Sequence, residues 1–571
     1  MAISSENYLT HNYPSFVKLP QIVRDTIITL FKKLSHENEI NGFLEKHKHV
    51  NAFDFIEAIL EYFNIDITIN KNQLSRIPTY GRTVIIANHP LGALDAIALI
   101  NVVKDVRKDV KIVASNFLSE FENINDVLIP IENVRGKMDR SSVEAIYDAL
   151  KKEQAVIIFP SGEVSRARPN GIRDTRWQKG FLRIASRMQA PILPIYIDAK
   201  NSKGFYLLSM MNKSLATATI PHEMFKYKDK KISFNIGKSI PYESYNLPSL
   251  PMRDVVKLLR KHFYLFAKKN KSVFKTYNAI ALPENRQELK HELQNAKALG
   301  ETKDGKKIFL YSNEEENVVL KEIGRLREIS FRQVKEGSGN KRDLDEFDYS
   351  YEHIILWDDK DLEIVGSYRI VKAKEIIDVF EVEGLYTATL FDYKDEFSKY
   401  FNEGIELGRS FVQPKYWNSR ALDYLWQGIG AYMKANPNIR YMFGPVSISR
   451  SYDDNAVALL VYFYMNYFGA KNQSVVHRDS YNISDENRSK FEALFVHDDF
   501  NEDLLTLKNE LQLGGYAVPT LYKQYSDLCD DDGVQFMDFG VDKEFDNCVD
   551  GFIVVDVHKL KASKRKRYFE A

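Results

Sequence analysis

Short unbroken apolar runs alternate with segments of helical period over residues 75–250. Thr83-Val84-Ile85-Ile86-Ala87 reads as a buried strand, and so do the run from Ala155 to Phe159 and the run from Ala190 to Ile197. Pro90 follows the first within three residues, Pro160 follows the second directly, and the third contains Pro191 and Pro194, residues that punctuate a chain where it must turn. Upstream, Phe53, Phe55, Ile56, Ile59, Leu60 and Phe63 fall on helical spacing, so residues 1–74 are expected to be helical and amphipathic, a lid or an interfacial arm. The pattern resets near Ala281-Leu-Pro283-Glu284, residues 288–299 read as a helix, and 300–305 read as a turn. This predicts an α/β domain over 75–275, a helical linker over 276–299 and an α+β domain over 300–571. Residues 405–412 alternate as a strand, and residues beyond 490 carry no motif.

The longest apolar stretch, residues 456–470, is fifteen long and interrupted by Asn466. That falls short of the roughly 20 residues needed to span a bilayer. Asp453-Asp454-Asn455 before it and Gly469 at its end predict a capped, buried helix instead.

At 571 residues the chain is expected to hold two or more cores. A 44% hydrophobic and 28% charged composition is that of a globular protein rather than a disordered one. The formal net charge is zero, so no whole-protein field draws it to nucleic acid or membrane, and no nucleic-acid partner is expected. Local patches remain. Residues 255–275 interleave Leu258, Leu259, Phe263, Leu265 and Phe266 with lysines and arginines, the pattern of a basic interfacial helix, and residues 559–567 hold six basic residues and no acid. Such clusters attract anionic headgroups by about 1 kcal/mol per charge. A solvated helix face and a frayed tail account for the same residues equally well.

Cys529 and Cys548 are the only cysteines. Without a signal peptide, this favours a reducing cytosol over a disulfide framework. Neither cysteine has the company of a zinc site, and Asp530-Asp531-Asp532-Gly533 lacks the remaining ligands of a calcium loop, so no metal is expected.

Two constellations carry chemistry. His89 follows the strand at 83–87, and Asp95 lies six positions later in the first turn of an apolar helix. A buried Asp that fixes one imidazole nitrogen leaves the other to take a proton from an alcohol. Taken alone, the pair reads as readily as a capping Asp beside a loop His. Downstream, Phe159-Pro160-Ser161-Gly162-Glu163-Val164-Ser165-Arg166 brings a turn with a carboxylate and a guanidinium to the end of a second strand. This order resembles the glycerolipid acyltransferase family, which includes 1-acylglycerol-3-phosphate acyltransferases, over residues 75–245. The resemblance implies a His89/Asp95 dyad and an acceptor site at Asn88, Pro160, Ser161, Gly162, Glu163 and Arg166. It departs from the family pattern in having five residues, not four, between His89 and Asp95, and in placing Ser161 where the family has Glu. Gly92 offers the freedom to absorb the extra residue. The second departure implies a different acceptor.

The second constellation runs through Arg327, Phe331 and Arg332, then Asp343, Asp345, Phe347 and Asp348, then Gly366 and Arg369, then Glu406, Gly408 and Arg409. It continues through Trp417 to Trp426 and through Phe443-Gly444. Over residues 300–480 this order resembles the acyl-homoserine-lactone synthases and, more closely, the hemolysin-like ornithine-lipid N-acyltransferases, both outlying branches of the GNAT fold. Amide formation needs a neutral amine and an acceptor for its proton, and Glu406 is the candidate for that acceptor. Asp345 and Asp348 are assigned to an amino-acid head group or to ordering the loop after Phe331. Arg327, Phe331, Arg369 and Arg409 are assigned to the acyl donor, the guanidiniums to its phosphate. Pairing among these acids and arginines is the plainer alternative. Glu406 and Arg409 lie three apart in a strand and so on opposite faces, unless a bulge, tolerated at Gly408, restores a common side.

Taken together, the resemblances imply a bifunctional aminolipid synthase. Its GNAT-like domain would N-acylate ornithine, glycine or a similar amino acid with a 3-hydroxyacyl group, and the His89 domain would esterify that hydroxyl. The implied donor is acyl carrier protein or acyl-CoA, with no other cofactor. Lyso-lipid and the inner face of the membrane are the implied partners. The alternatives are a lysophospholipid acyltransferase with a regulatory or carrier-binding second domain, an acyl-homoserine-lactone synthase, or a non-catalytic membrane protein.

Overall fold

The computed structural model describes residues 3–12, 15–115, 121–131, 139–169, 171–312, 315–497, 499–530, 532–545 and 547–569. Asp531, in the acidic run, lies outside them. The chain divides into two compact units, Met1–Ala279 and Ile280–Ala571.

In unit 1 the strands are β1 (Asp66–Ile69), β2 (Thr83–Ala87), β3 (Val110–Ser115), β4 (Leu128–Ile131), β5 (Ala155–Ile158), β6 (Arg166–Arg168), β7 (Gly171–Arg173), β8 (Ile192–Asp198) and β9 (Lys231–Ile236). β6 and β7 form a separate hairpin, and the others make one sheet in the order β1-β9-β8-β2-β5-β3-β4. All neighbours run parallel except β8 and β9. β2 and β5 are buried on both faces, which is why they read as unbroken apolar runs. Ligand sites in such sheets lie outside the carboxyl ends of the strands, where β2 delivers His89.

Two apolar layers cover this sheet. One includes helix Ala93–Lys104 and helix Ala52–Tyr62, whose Phe55 and Ile56 are fully buried. Asn51 caps the latter by accepting from the N–H groups of Phe53 and Asp54. Residues 1–74 therefore do not form one arm. Helix Ala52–Tyr62 is core, whereas helix Gln21–Ser35 buries no residue and leaves Ile22 and Leu30 exposed.

The second layer includes helix Met252–Lys269, which presses Val255, Val256, Leu259 and Phe263 onto the sheet. This corrects the interfacial reading of residues 255–275: the apolar face is taken up by the core and only the basic face meets solvent.

Unit 2 contains β10 (Lys297–Glu301), β11 (Lys307–Tyr311), β12 (Glu352–Asp358), β13 (Glu363–Lys372), β14 (Phe391–Tyr393), β15 (Gly404–Val412), β16 (Tyr441–Ile448), β17 (Val475–His477), β18 (Val534–Asp542) and β19 (Cys548–Asp556). Eight form one sheet, in the order β10-β11-β12-β13-β15-β16-β19-β18. Its parallel pair, β15 with β16, is in register only over Gly404–Tyr441, Ile405–Met442 and Glu406–Phe443, after which the two strands part. Residues 276–299 are not a helical linker. Helix Arg286–Leu293 buries Leu289 and Leu293 against helix Val318–Gln333, and β10 is the sheet's edge strand.

The apolar stretch at 456–470 forms helix Asp454–Phe468, with Asp453 accepting from the Ala456 N–H at 2.8 Å. Among the described residues, no helix is long and apolar enough to cross a membrane. Both cysteines are free and buried. No group of metal-ligating side chains occurs among the described residues.

Candidate active sites

In unit 1, β2 ends at Ala87 and the chain turns through Gly92, at φ 97° and ψ −129°, into helix Ala93–Lys104. An L side chain is strained in that conformation, and a Cβ there would meet Ile220 Cγ2 at 2.8 Å. The turn brings His89 Nδ1 to 2.8 Å from Asp95 Oδ1. Asp95 Oδ2 accepts from the N–H groups of Leu91 at 2.6 Å and Gly92 at 3.2 Å, so the carboxylate is fixed by the turn it closes. A carboxylate only accepts, so Nδ1 carries the proton and Nε2 presents its lone pair.

Burial opposes the charged ring, but the Asp95 carboxylate, with Asp174 beyond it, outweighs burial and raises the His89 pKa above 6.5. Phe159 stacks on the ring with centroids 4.1 Å apart.

His89 lines a cavity of about 770 Å³, within the range of small-molecule sites. Gly92, Pro160, Gly162, Glu163 and Arg166 share that lining, and Ile3, Phe31 and Ile40 contribute from the amino-terminal region. Arg166 is 6% exposed, stacks over the Phe205 ring at 5.2 Å, and donates from Nη2 to Thr217 Oγ1 at 2.9 Å. Its Nε and Nη1 are buried without a hydrogen-bond partner among the described residues. Two buried guanidinium donors left open are costly unless an anion completes them.

Glu163 lines the same cavity and its charge acts on Arg166, but its direct bonds go to other groups. It accepts from Thr175 Oγ1 at 2.6 Å and pairs with Lys213 at 2.5 Å. Burial raises its pKa, but these partners prevail and hold it below the usual carboxylate value.

Two expected acceptor residues have structural work instead. Asn88 exchanges hydrogen bonds with the Ile197 backbone at 2.9 and 2.7 Å, tying β2 to β8. The Ser161 hydroxyl donates to the Glu163 carbonyl at 2.8 Å, and Ser161 does not line the cavity. Asp174 was absent from the sequence-derived site. Its Oδ1 accepts from the His89 N–H at 3.2 Å and from Ser165 Oγ at 2.6 Å, and its Oδ2 accepts from Trp177 at 3.0 Å. Burial pushes its pKa up against those bonds. It sits in an aperiodic run, Arg173-Asp174-Thr175-Arg176-Trp177, so no pattern signalled it.

In unit 2, β15 bulges against β13. Ser367 opposes Phe411 and Arg369 opposes Gly408, so Arg409 and Ser410 together face Tyr368. The left-handed residue is Arg409, at φ 48°, rather than Gly408. The bulge puts Glu406 and Arg409 on one side, where both meet Tyr386. Glu406 Oε2 accepts from the Tyr386 N–H at 3.1 Å and from the Tyr351 hydroxyl, and Oε1 accepts from the Thr387 N–H at 2.7 Å. The Arg409 guanidinium lies between the Tyr386 and Phe545 rings, 4.9 Å from each centroid.

With both oxygens engaged and 1% exposure, Glu406 is an anchor for residues 386–387 and not the open proton acceptor expected of it. Burial raises its pKa against the hydrogen bonds that it accepts.

The acids and arginines pair with one another. Arg327 bonds both Asp348 oxygens at 2.9 and 2.7 Å and pairs with Asp343 at 2.8 Å. Arg369 donates to Asp345 and lies 3.3 Å from Asp348. These arginines hold the Asp348 carboxyl far below the usual range despite its burial. Fully buried and so engaged, Arg327 cannot take the donor phosphate assigned to it. Phe331 is likewise a core residue, edge-on to Phe545 at 5.0 Å. Arg369 keeps Nε and Nη2 unpartnered among the described residues, and Arg409 keeps Nε, so the capacity for a ligand lies with these two.

Residues 11–272 match the acyltransferase family and residues 326–427 the acetyltransferase (GNAT) domain family. A glycine N(alpha)-acyltransferase of Phocaeicola vulgatus is 32% identical over 307 residues, covering 51% of this chain and 93% of that protein. A lyso-glycine lipid O-acyltransferase of Bacteroides thetaiotaomicron is 28% identical over 232 residues, 39% of this chain and 84% of that protein. An L-ornithine N(alpha)-acyltransferase of Brucella abortus is 33% identical over 113 residues, 19% of this chain and 39% of that protein. The chain is an acyltransferase that belongs to the family of the glycine N(alpha)-acyltransferases and carries a further acyltransferase unit ahead of that one.

Proposed function

We propose that the chain makes an aminolipid in two steps: unit 2 joins a 3-hydroxyacyl group to the nitrogen of an amino acid, and unit 1 esterifies the 3-hydroxyl. The observation that carries this reading is the cavity lined by both His89, whose ring Asp95 holds from behind, and Arg166. An alcohol and an anion are what those groups accept, and a lyso-aminolipid offers both, a hydroxyl on its acyl chain and a carboxylate on its head.

His89 Nε2 takes the hydroxyl proton as the oxygen attacks the thioester carbonyl. The C–S bond breaks, and the thiolate leaves with that proton returned from the imidazolium. Arg166 pairs with the head-group carboxylate through its two open donors. Glycine is the favoured amino acid, because the glycine enzyme matches over 93% of its length and the ornithine enzyme over 39%. Acyl carrier protein or acyl-CoA supplies both acyl groups.

The protein works on the inner face of the membrane. Exposed Ile22 and Leu30, with Leu207, Met210 and Met211 on helix Lys203–Met211, are the apolar side chains offered to lipid. The purified chain, given 3-hydroxyacyl carrier protein and a panel of amino acids, should release N-(3-hydroxyacyl)glycine and then its O-acyl ester. Esterification of lysophosphatidic acid alone, with no amide from any amino acid, would favour a lysophospholipid acyltransferase.

A further inference from the structure

Unit 1 has a second cavity, of about 830 Å³, that adjoins the first: Gln178 and Lys179 line both. Its walls come from hairpin β6/β7, from residues 174–179, and from the basic face of helix Met252–Lys269. Asp174, which holds the His89 backbone, belongs to this wall as well.

The lining is strongly basic. Arg168, Arg173, Arg176, Lys179, Arg253 and Arg260 face the cavity, and Lys257 joins them. The single acid in the lining is Asp174, which is 1% exposed and already accepts from Ser165, His89 and Trp177. Among the described residues, the ion pairs of these cations are those of Arg253 and Lys257 with Asp254. Arg173 and Arg260 lie over the same ring, Tyr264, at 4.9 and 5.3 Å, and the buried Nε of each has no hydrogen-bond partner among the described residues. Two guanidiniums sharing one ring repel each other, and a bound anion relieves that repulsion. In a chain of zero net charge, such a cluster is a local device rather than part of a general field.

We propose that this cleft takes the phosphate of a phosphopantetheine thioester and so forms the donor half of the esterification site. Guanidiniums suit a phosphate diester through paired N–H groups. Beyond its phosphate the pantetheine arm is uncharged, and Gln178–Lys179 is where it passes from the basic cleft to His89. The acyl chain then meets the apolar wall of the first cavity, at Val143, Tyr147, Phe181 and Ile184. The basic face of helix Met252–Lys269 becomes a donor contact rather than a membrane contact. The proposal rests on His89 being an acyl-transfer site.

The test uses the full chain, a lyso-lipid acceptor and three thioesters of one acyl group: acyl carrier protein, acyl-CoA, and acyl-pantetheine, which lacks the phosphate. Whichever phosphate-bearing donor the unmodified protein uses names the source of the phosphate. The exposed pair Arg176→Glu and Arg253→Glu should lower kcat/KM for that donor about ten-fold or more. The loss should fall mainly in KM, weaken as salt rises, and leave acyl-pantetheine at least ten-fold less affected. Arg176→Ala, a milder change, should move the same way. An equal loss with acyl-pantetheine, or no loss with any donor, overturns the proposal. So does unchanged donor kinetics accompanied by lost binding to vesicles containing phosphatidylglycerol, which would make the cleft a membrane contact. His89→Ala separates the two claims, because full activity of that variant with all three donors would defeat the acyl-transfer reading itself.

Discussion

His89 Nδ1 and Asp95 Oδ1 are 2.8 Å apart although five residues separate them. The turn between them passes through Gly92 at φ 97°, and the second Asp95 oxygen caps that turn. The orientation of the imidazole and the geometry of the turn therefore depend on one carboxylate.

Loss of the imidazole should lower esterification by about 10²- to 10⁴-fold and leave amide formation intact. The working form is neutral His89, and its pKa is raised, so ester formation should climb with pH through an apparent pKa above 6.5. Asp95→Asn removes the carboxylate and leaves burial, which favours the neutral ring. The rising limb should then move to lower pH while the maximum rate falls. A limb that stays put in Asp95→Asn would show that His89 is not the titrating group.

Gly92→Ala tests the turn. The substitution puts a Cβ where φ is 97° and 2.8 Å from Ile220 Cγ2. Backbone strain of this kind costs about 1–3 kcal/mol. Ester formation should drop and the denaturant midpoint of unit 1 should fall, with amide formation spared. Wild-type esterification by this variant would mean that the extra residue is absorbed elsewhere.

For Glu406→Gln, either orientation of the new amide turns an NH₂ toward an N–H that the carboxylate now accepts, from Tyr386 or Thr387. The expected cost is about 1–3 kcal/mol of stability in unit 2. Amide formation should fall with it, through displacement of Tyr386 beside Arg409. Unchanged stability with abolished amide formation would instead restore Glu406 as the proton acceptor.

Unit 2 also buries Glu336, Asp542 and Asp550 close together. Burial, reinforced by its acidic neighbours, raises Asp550 to about 8, and burial raises Glu336 to about 7. A carboxyl whose folded pKa is raised binds its proton more tightly in the folded state. Its contribution is fully present below the unfolded pKa, near 4, and is lost as pH rises through the folded value. Unit 2 should therefore lose stability between about pH 4 and pH 8. Asp550→Asn should raise its melting temperature at pH 8 by a few degrees, at about 2–4 °C per kcal/mol, and change it less at pH 5. A melting curve indifferent to pH in both proteins would show that the cluster does not titrate on unfolding.

The parallel strands and the helix at Asp454–Phe468 were legible because apolar runs and capping residues are local signals. The same local patterning left helix Met252–Lys269 open between two readings, because an amphipathic face says that it covers something apolar but not whether that is a sheet or a lipid. Asn88 and Ser161 sit inside a motif, yet their hydrogen bonds go to Ile197 and to the Glu163 carbonyl, partners that only the folded chain supplies. Asp174 reaches His89 from 85 positions away, a distance that no periodicity spans. The strand parity of Glu406 and Arg409 did signal a bulge, but not that a pair of backbone N–H groups would close over the carboxylate.

Two separable acylations by one chain, with His89 serving only the second, predict two distinct lipid profiles. Lipid mass spectrometry of a host that makes no aminolipid, expressing either the unmodified chain or His89→Ala, tests this directly. The unmodified chain should yield diacylated aminolipid, and His89→Ala should accumulate the mono-acylated lyso form. Diacylated product at the same level from both, or no amide-linked lipid from either, would contradict the account.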